Sequence, residues 1–208
     1  MINKKLSVLV FAAVMLLFVN IQSKAESLHE ICEFGSFSEI KAAIKAGANV
    51  NEKDEKGRTP LMAACEADSS HEIIQLLLSC GAKINEKDND GKTAIMYAAQ
   101  YNKYPRVMIE LIKAGGKVNT RSNDGTTALM LACENTKNVQ IVSELVKAGA
   151  NVNEKDNDGY TAIQYIKNNP DNKDLISAVL INAGAIYNKK DLVFEQQEQK
   201  EQQEQQEQ

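Results

Sequence analysis

The 208 residues contain no tryptophan, and aromatic residues of all kinds make up only 5%. A core built on large rings is therefore excluded, while abundant alanine favours helices packed closely through small side chains. Positive charge is not in excess: the net charge is −4 at pH 7, against the basic balance expected of a nucleic-acid-binding chain. Only two histidines occur, His29 and His71, and neither has Cys or His partners at metal-ligand spacing. No glycine-rich phosphate loop is found, since the glycines are accounted for by helix caps and turns. No metal and no cofactor is expected.

The two ends differ from the rest. Lys4 and Lys5 precede the apolar run Leu6–Val19, whose 14 residues fall short of the roughly 20 that span a bilayer as a helix. Polar residues follow, and Ser23 and Ala25 stand where the −3 and −1 positions of a secretory cleavage site would be. Residues 1–25 are therefore expected to be a signal peptide, leaving an exported protein, periplasmic or secreted, with no membrane span. An uncleaved anchor is the alternative. No Cys follows the cut, which argues against a lipid-anchored form. At the other end, residues 195–208 hold only Glu, Gln and Lys, with five Glu and one Lys for a charge of −4. They offer no apolar seam for a coiled coil, and 191–208 is expected to be a disordered, solvated tail.

Between these ends the chain repeats itself. Gly57, Gly91, Gly125 and Gly159 stand 34 residues apart, each followed two residues later by a threonine. Gly47, Gly81, Gly115 and Gly149 keep the same interval, and Gly184 follows at 35. Such self-similarity marks a solenoid. Within one unit, Thr93 is expected to cap a helix through "AIMYAAQ" with its hydroxyl. Pro105 opens a second helix, "RVMIELIKAGG", whose apolar positions 107, 108, 109, 111 and 112 form one buried stripe. Gly115 ends it as a left-handed cap, and a "DG" turn arrives ten residues later. Each unit reads as helix, turn, helix and a projecting hairpin-like loop.

The stretch "DEKGRTPLMAAC…IIQLLLSCGAKIN", residues 54–85, resembles the ankyrin repeat in its Asp, Gly, T-P-L, small pair and L-L-x-x-G-A. The resemblance covers residues 26–190 as five units, near 27–57, 58–91, 92–125, 126–159 and 160–190. It implies an all-α solenoid of helix-turn-helix repeats with projecting β-hairpin loops. Two departures stand out. The period is 34 where the family usually has 33, and the extra residue is expected between the two helices. The family's structural His is retained as His29 but replaced by Met62, Met96, Met130 and Gln164. Its bonds from loop to helix must be made otherwise or lost, so lower stability per repeat is expected.

Three chemical readings compete with a bland one. "NEKDND" before Gly91 and Gly159 looks like the start of a calcium loop, with acids on alternate positions. The twelfth position, which must supply a bidentate carboxylate, is Tyr97 counted from Glu86, Tyr165 from Glu154 and Ala63 from Glu52. The acids are thus expected to be a water-facing loop edge. Cys32, Cys65 and Cys133 occupy equivalent positions, and adjacent positions of this kind stand a helix-packing distance of about 8–10 Å apart, so free thiols are expected over bridges. His29 and Cys32 share a helical face, but nothing supplies a third catalytic group, and no enzyme activity is expected.

What remains is surface. Partner contacts in similar repeats come from the loop tips and the end of the first helix. Those positions are Arg58, Lys92, Thr126 and Tyr160 at the tips, with Glu66, Ala67, Gln100, Tyr101, Glu134 and Asn135 on the helices. Tyr101, Tyr160 and Arg58 carry the side-chain types that dominate interface energetics. The expected function is non-catalytic binding of an unidentified protein partner by a monomer. The competing view is an envelope accessory protein that protects, or weakly buffers metal through its acidic loops.

Overall fold

Two kinds of helix alternate along the chain, and the difference between them sets the architecture. The computed structural model describes residues 27–169 and 171–187; the expected signal peptide and Glu/Gln tail lie outside them. Among the described residues ten α-helices fall in five pairs. They are α1 Leu28–Phe34, α2 Phe37–Lys45, α3 Pro60–Glu66, α4 His71–Ser79, α5 Ala94–Tyr101, α6 Pro105–Lys113, α7 Ala128–Asn135, α8 Val139–Lys147, α9 Ala162–Tyr165 and α10 Lys173–Asn182. A short 3-10 turn, Ile166–Asn168, extends α9. None of these helices is long and apolar enough to cross a membrane.

In α3, α5 and α7 the first six residues are buried on every side. Ala63, Ala64, Ala98, Ala99 and Ala132 let neighbouring backbones approach, so the first helices stack in a row, α1 on α3 on α5 on α7 on α9. The second helices bury one stripe only: Ile74 and Leu77 in α4, Val107, Met108 and Leu111 in α6, Ile141, Val142 and Leu145 in α8. They form an outer row, α2 to α10, with their polar faces in water. The core is therefore one apolar layer running the length of the stack.

The threonines that precede the first helices do not all cap them alike. The Thr59 and Thr127 hydroxyls accept the Met62 and Met130 N–H groups at 3.4 Å. Thr93 does not do the same. Its own carbonyl already takes the Met96 N–H at 3.0 Å, which tightens the first turn of α5 and leaves the buried hydroxyl without a partner. At the other end, Gly81 at φ +89 closes α4 by donating to Leu78, while Ala82 donates to Leu77, both at 3.0 Å. The added residue of the 34-residue period lies between the paired helices. Two residues join α1 to α2, whereas 67–70, 102–104 and 136–138 join the next three pairs.

The connecting loops are turns, and no strand occurs among the described residues. This corrects the expected β-hairpins. Asp54 N–H bonds to the Arg58 carbonyl and Gly57 N–H to the Asp54 carbonyl, which closes a single turn. The tip then bonds sideways instead of back along itself: Asn89 N–H donates to Lys56 O, Asn123 to Asp90 O, and Asn157 to Asp124 O. A second set of asparagines spans adjacent units. Asn51 donates to the Gly81 carbonyl at 2.9 Å and accepts the Lys83 N–H at 2.8 Å. Asn85, Asn119 and Asn153 do the same one unit further on each time.

This sideways stacking predicts unequal costs for two glycine substitutions. Gly91 has φ +76, and a Cβ there would stand 2.5 Å from the Asn123 side-chain oxygen, whereas a Cβ on Gly81 meets nothing within 4 Å. Gly81→Ala should cost only the left-handed strain, about 1–2 kcal/mol. Gly91→Ala should lose at least about 1 kcal/mol more from the collision. Urea midpoints measured side by side check this, and equal midpoints would refute the loop contact.

Candidate functional site

Each loop is wound around one polar side chain. Asp88 accepts the Asp90 and Lys92 N–H groups on one oxygen, at 2.9 and 2.7 Å, and the Tyr97 hydroxyl on the other at 2.7 Å. Asp156 repeats the arrangement with Asp158, Tyr160 and the Tyr165 hydroxyl. Asp54 takes the Lys56 and Arg58 N–H groups and the Arg58 Nε. In the third loop Ser122 stands in the Asp position, and its hydroxyl donates to the Thr126 carbonyl at 2.8 Å. Burial, then the hydrogen bond to Asp156, push the Tyr165 hydroxyl up to about 12, so it stays a donor.

These bonds replace the missing histidines. His29 keeps the tie, its Nε2 lying 2.8 Å from the Arg58 carbonyl. Beside Met96 and Gln164 the tie passes to the next residue, Tyr97 or Tyr165, which grips the loop aspartate directly. Met62 and Met130 instead accept the Thr59 and Thr127 N–H groups on sulfur at 3.4 Å.

The acids are therefore not simply a water-facing edge. Asp88 and Asp156 are 9% and 8% exposed, and each already receives three donors. Glu86 pairs with Lys53, and Glu154 with Arg121. Asp90 and Asp158 are the acids of these two loops that stay exposed. Among the described residues no group of three or more His, Cys, Asp or Glu could hold a metal ion.

The thiols are unpaired, with Cys32, Cys65 and Cys133 buried and Cys80 exposed. Burial, with Glu33 nearby, pushes Cys32 up to about 12, while the Nε2 edge of His29 faces the Arg58 carbonyl. That is the reverse of an activated nucleophile.

The surface positions fall into two rows in register. One row comes from the tips: Arg58, Lys92, Thr126 and Tyr160. The other lies eight residues on, near the end of each first helix: Glu66, Gln100, Glu134 and Asn168. Arg58 is not a free anchor. Its guanidinium bonds Asp54, Glu66 and Glu33, and its side chain is 12% exposed. Lys92 reaches the Gln100 amide oxygen at 3.4 Å. Thr126 is 5% exposed, which corrects its placement among the tip contacts: its side chain is too short to climb out of the loop. Glu134 accepts from Asn168 at 2.8 Å, and Asn135 bonds back to the Leu131 carbonyl. Ala67 caps α3 and lies half-buried.

Among the described residues three aromatic side chains are open on this face, and Phe34, at 86%, is the most exposed. Tyr101 is 46% and Tyr160 47% exposed. The Tyr101 ring stacks on Tyr97 with centroids 6.2 Å apart, and Lys167 lies 5.7 Å over the Tyr160 ring. Sequence reasoning missed Glu33 and Phe34, which with Lys56, Arg58, Glu66 and Ala67 line a hollow of about 470 Å³. Counting the first unit as one residue shorter would have found them, since they match Glu66 and Ala67. Lys167 and Asn168, in the 3-10 turn that extends α9, were missed as well, although Asn168 stands 34 residues after Glu134.

A family model described as ankyrin repeats, in three copies, matches residues 28–121 and again 95–191. No curated protein matches the chain.

The Arg58 cluster makes stability pH-dependent. Burial opposes ionisation of Asp54, but the Arg58 hydrogen bonds and charge outweigh it and hold the carboxyl below its ordinary 3.8. A depressed carboxyl stabilises the fold fully above that value and loses its contribution as pH falls through the folded pKa. The stability difference between wild type and Arg58→Met should therefore be constant from about pH 7 to 5 and shrink below about pH 4. A difference unchanged down to about pH 2 would sink the assignment.

Proposed function

Because the chain belongs to the ankyrin-repeat family, whose members are generally protein–protein interaction modules, we propose that it binds a protein partner without catalysis of its own. The contact face is the row of loop tips with the adjoining ends of the first helices. The observation that carries this is the pair of half-exposed tyrosines, Tyr101 and Tyr160, set among polar side chains. Tyr brings large, rigid, amphipathic contact area at low conformational cost, and such residues dominate interface energetics. Arg58 and Thr126 contribute by shaping the loops, leaving Tyr101, Tyr160, Lys92, Gln100, Glu134 and Asn135 as the residues that meet the partner.

The protein acts as a monomer outside the cytoplasm, with residues 1–25 as the export signal. The basic start, the apolar run and the small residues before Glu26 support this. The chain recovered from envelope or medium should begin at Glu26 by intact mass. Recovery of the full-length chain from the cytoplasm alone would remove export from the proposal.

The face itself is tested by placing a photo-reactive benzoylphenylalanine at 101 or 160, and at Lys113 or Lys147 on the outer helices. Irradiation in the native cell should give discrete protein adducts from the first two positions and none from the others. Equal adducts from both sets, or none from 101 and 160, would overturn it.

A further inference from the structure

The two rows on the face are coupled in the second and third units and not in the fourth. In the second unit a tip cation meets a helix carboxylate, Arg58 to Glu66. In the third unit Lys92 meets the Gln100 amide. In the fourth unit the carboxylate is present as Glu134, but the tip residue is Thr126, buried within its loop. Among the described residues Glu134 has no ion-pair partner. Two amides bond it instead, Asn168 Nδ2 to one oxygen at 2.8 Å and Asn135 Nδ2 to the other at 3.3 Å. Lys167, beside Asn168, places its amine over the Tyr160 ring.

We propose that Glu134, flanked by Tyr101 and Tyr160, is a receptor for a basic side chain of the protein partner, taking the place that Arg58 fills two repeats earlier. This rests on the contact face described above. The register supplies the geometry: a cation at the equivalent place bonds the equivalent carboxylate within the same chain, so the position is compatible with such a contact. The flanking groups supply the preference. Tyr101 extends from α5, which packs against α7, and Tyr160 precedes α9, which packs on the other side of α7. Both present ring area that a guanidinium stacks on, and a planar guanidinium can also engage a carboxylate through two parallel bonds. Arginine is therefore the better occupant and lysine the weaker one. The two asparagine amides orient the carboxylate without neutralising it, so its charge is left for the partner. A pair exposed to water contributes little; covered by a partner it gains.

A library of displayed random dodecapeptides, selected on the full chain, tests this. Selected peptides should carry Arg or Lys. A synthetic copy should lose about tenfold or more in affinity to Glu134→Gln, and as much when its arginine is replaced by neutral citrulline. Thr126→Arg, which supplies the cation from within, should lose binding in the same way while circular dichroism stays unchanged. If that variant misfolds, Glu134→Gln and the citrulline peptide still decide. Peptides without a basic residue, or with affinity unaltered by Glu134→Gln, overturn the receptor. If such peptides lose affinity on Tyr101→Ala, the contact face stands and only the receptor falls. If no selected peptide depends on Tyr101, the face falls and the receptor with it.

Discussion

One asparagine per loop holds the architecture to its register. Asn51, Asn85, Asn119 and Asn153 each donate to a glycine carbonyl and accept an N–H in the following unit, so the ends of α4, α6, α8 and α10 are each tied to the loop before them. The groups they satisfy lie just past a helix C-terminus, where carbonyls have no partner in the helix. Because the same two bonds recur four times, adjacent units sit in nearly the same relation throughout. A repeat protein is stabilised by nearest-neighbour interfaces, and this contact is one that each interface contains.

Within that frame the acids have little freedom. A loop that turns in a few residues leaves several N–H groups pointing inward, and one carboxylate can take two of them. Asp54, Asp88 and Asp156 do so, and the second oxygen holds a side chain, Arg58, Tyr97 or Tyr165. The tyrosines also solve the problem set by the absent histidines, since they connect loop to helix from one position further along the chain. Ser122 manages the same turn with a hydroxyl, passing part of the work to Asp124 and drawing Thr126 inward.

Function is left to positions that the register fixes in space but not in identity. The tip residue recurs eight positions before the helix residue in each of these units, yet the chemistry of the pair changes: Arg and Glu, Lys and Gln, Thr and Glu, Tyr and Asn. In the second unit the pair is spent within the chain, because Arg58 is enclosed by Asp54, Glu66 and Glu33. In the fourth it is left open. A regular scaffold with irregular contents is how one fold serves unrelated partners.

Much of this was legible in the sequence. Glycines at intervals of 34, threonines two residues behind them, and one-sided apolar stripes determined an all-helical solenoid, because backbone conformation and helix periodicity are local properties. The surface placement of Tyr101 and Tyr160 follows from the same register. Local patterns could not say which polar side chains were already engaged. Asp88 looked like a metal ligand or a solvated acid until the fold brought the Tyr97 hydroxyl, nine residues away, onto it. Arg58 looked like an anchor until Glu33, 25 residues earlier, closed over it. Thr93 looked like a cap until the first turn tightened and took its donor. A side chain's availability depends on every group that reaches it, and the groups in the neighbouring unit reach it only once the stack has formed.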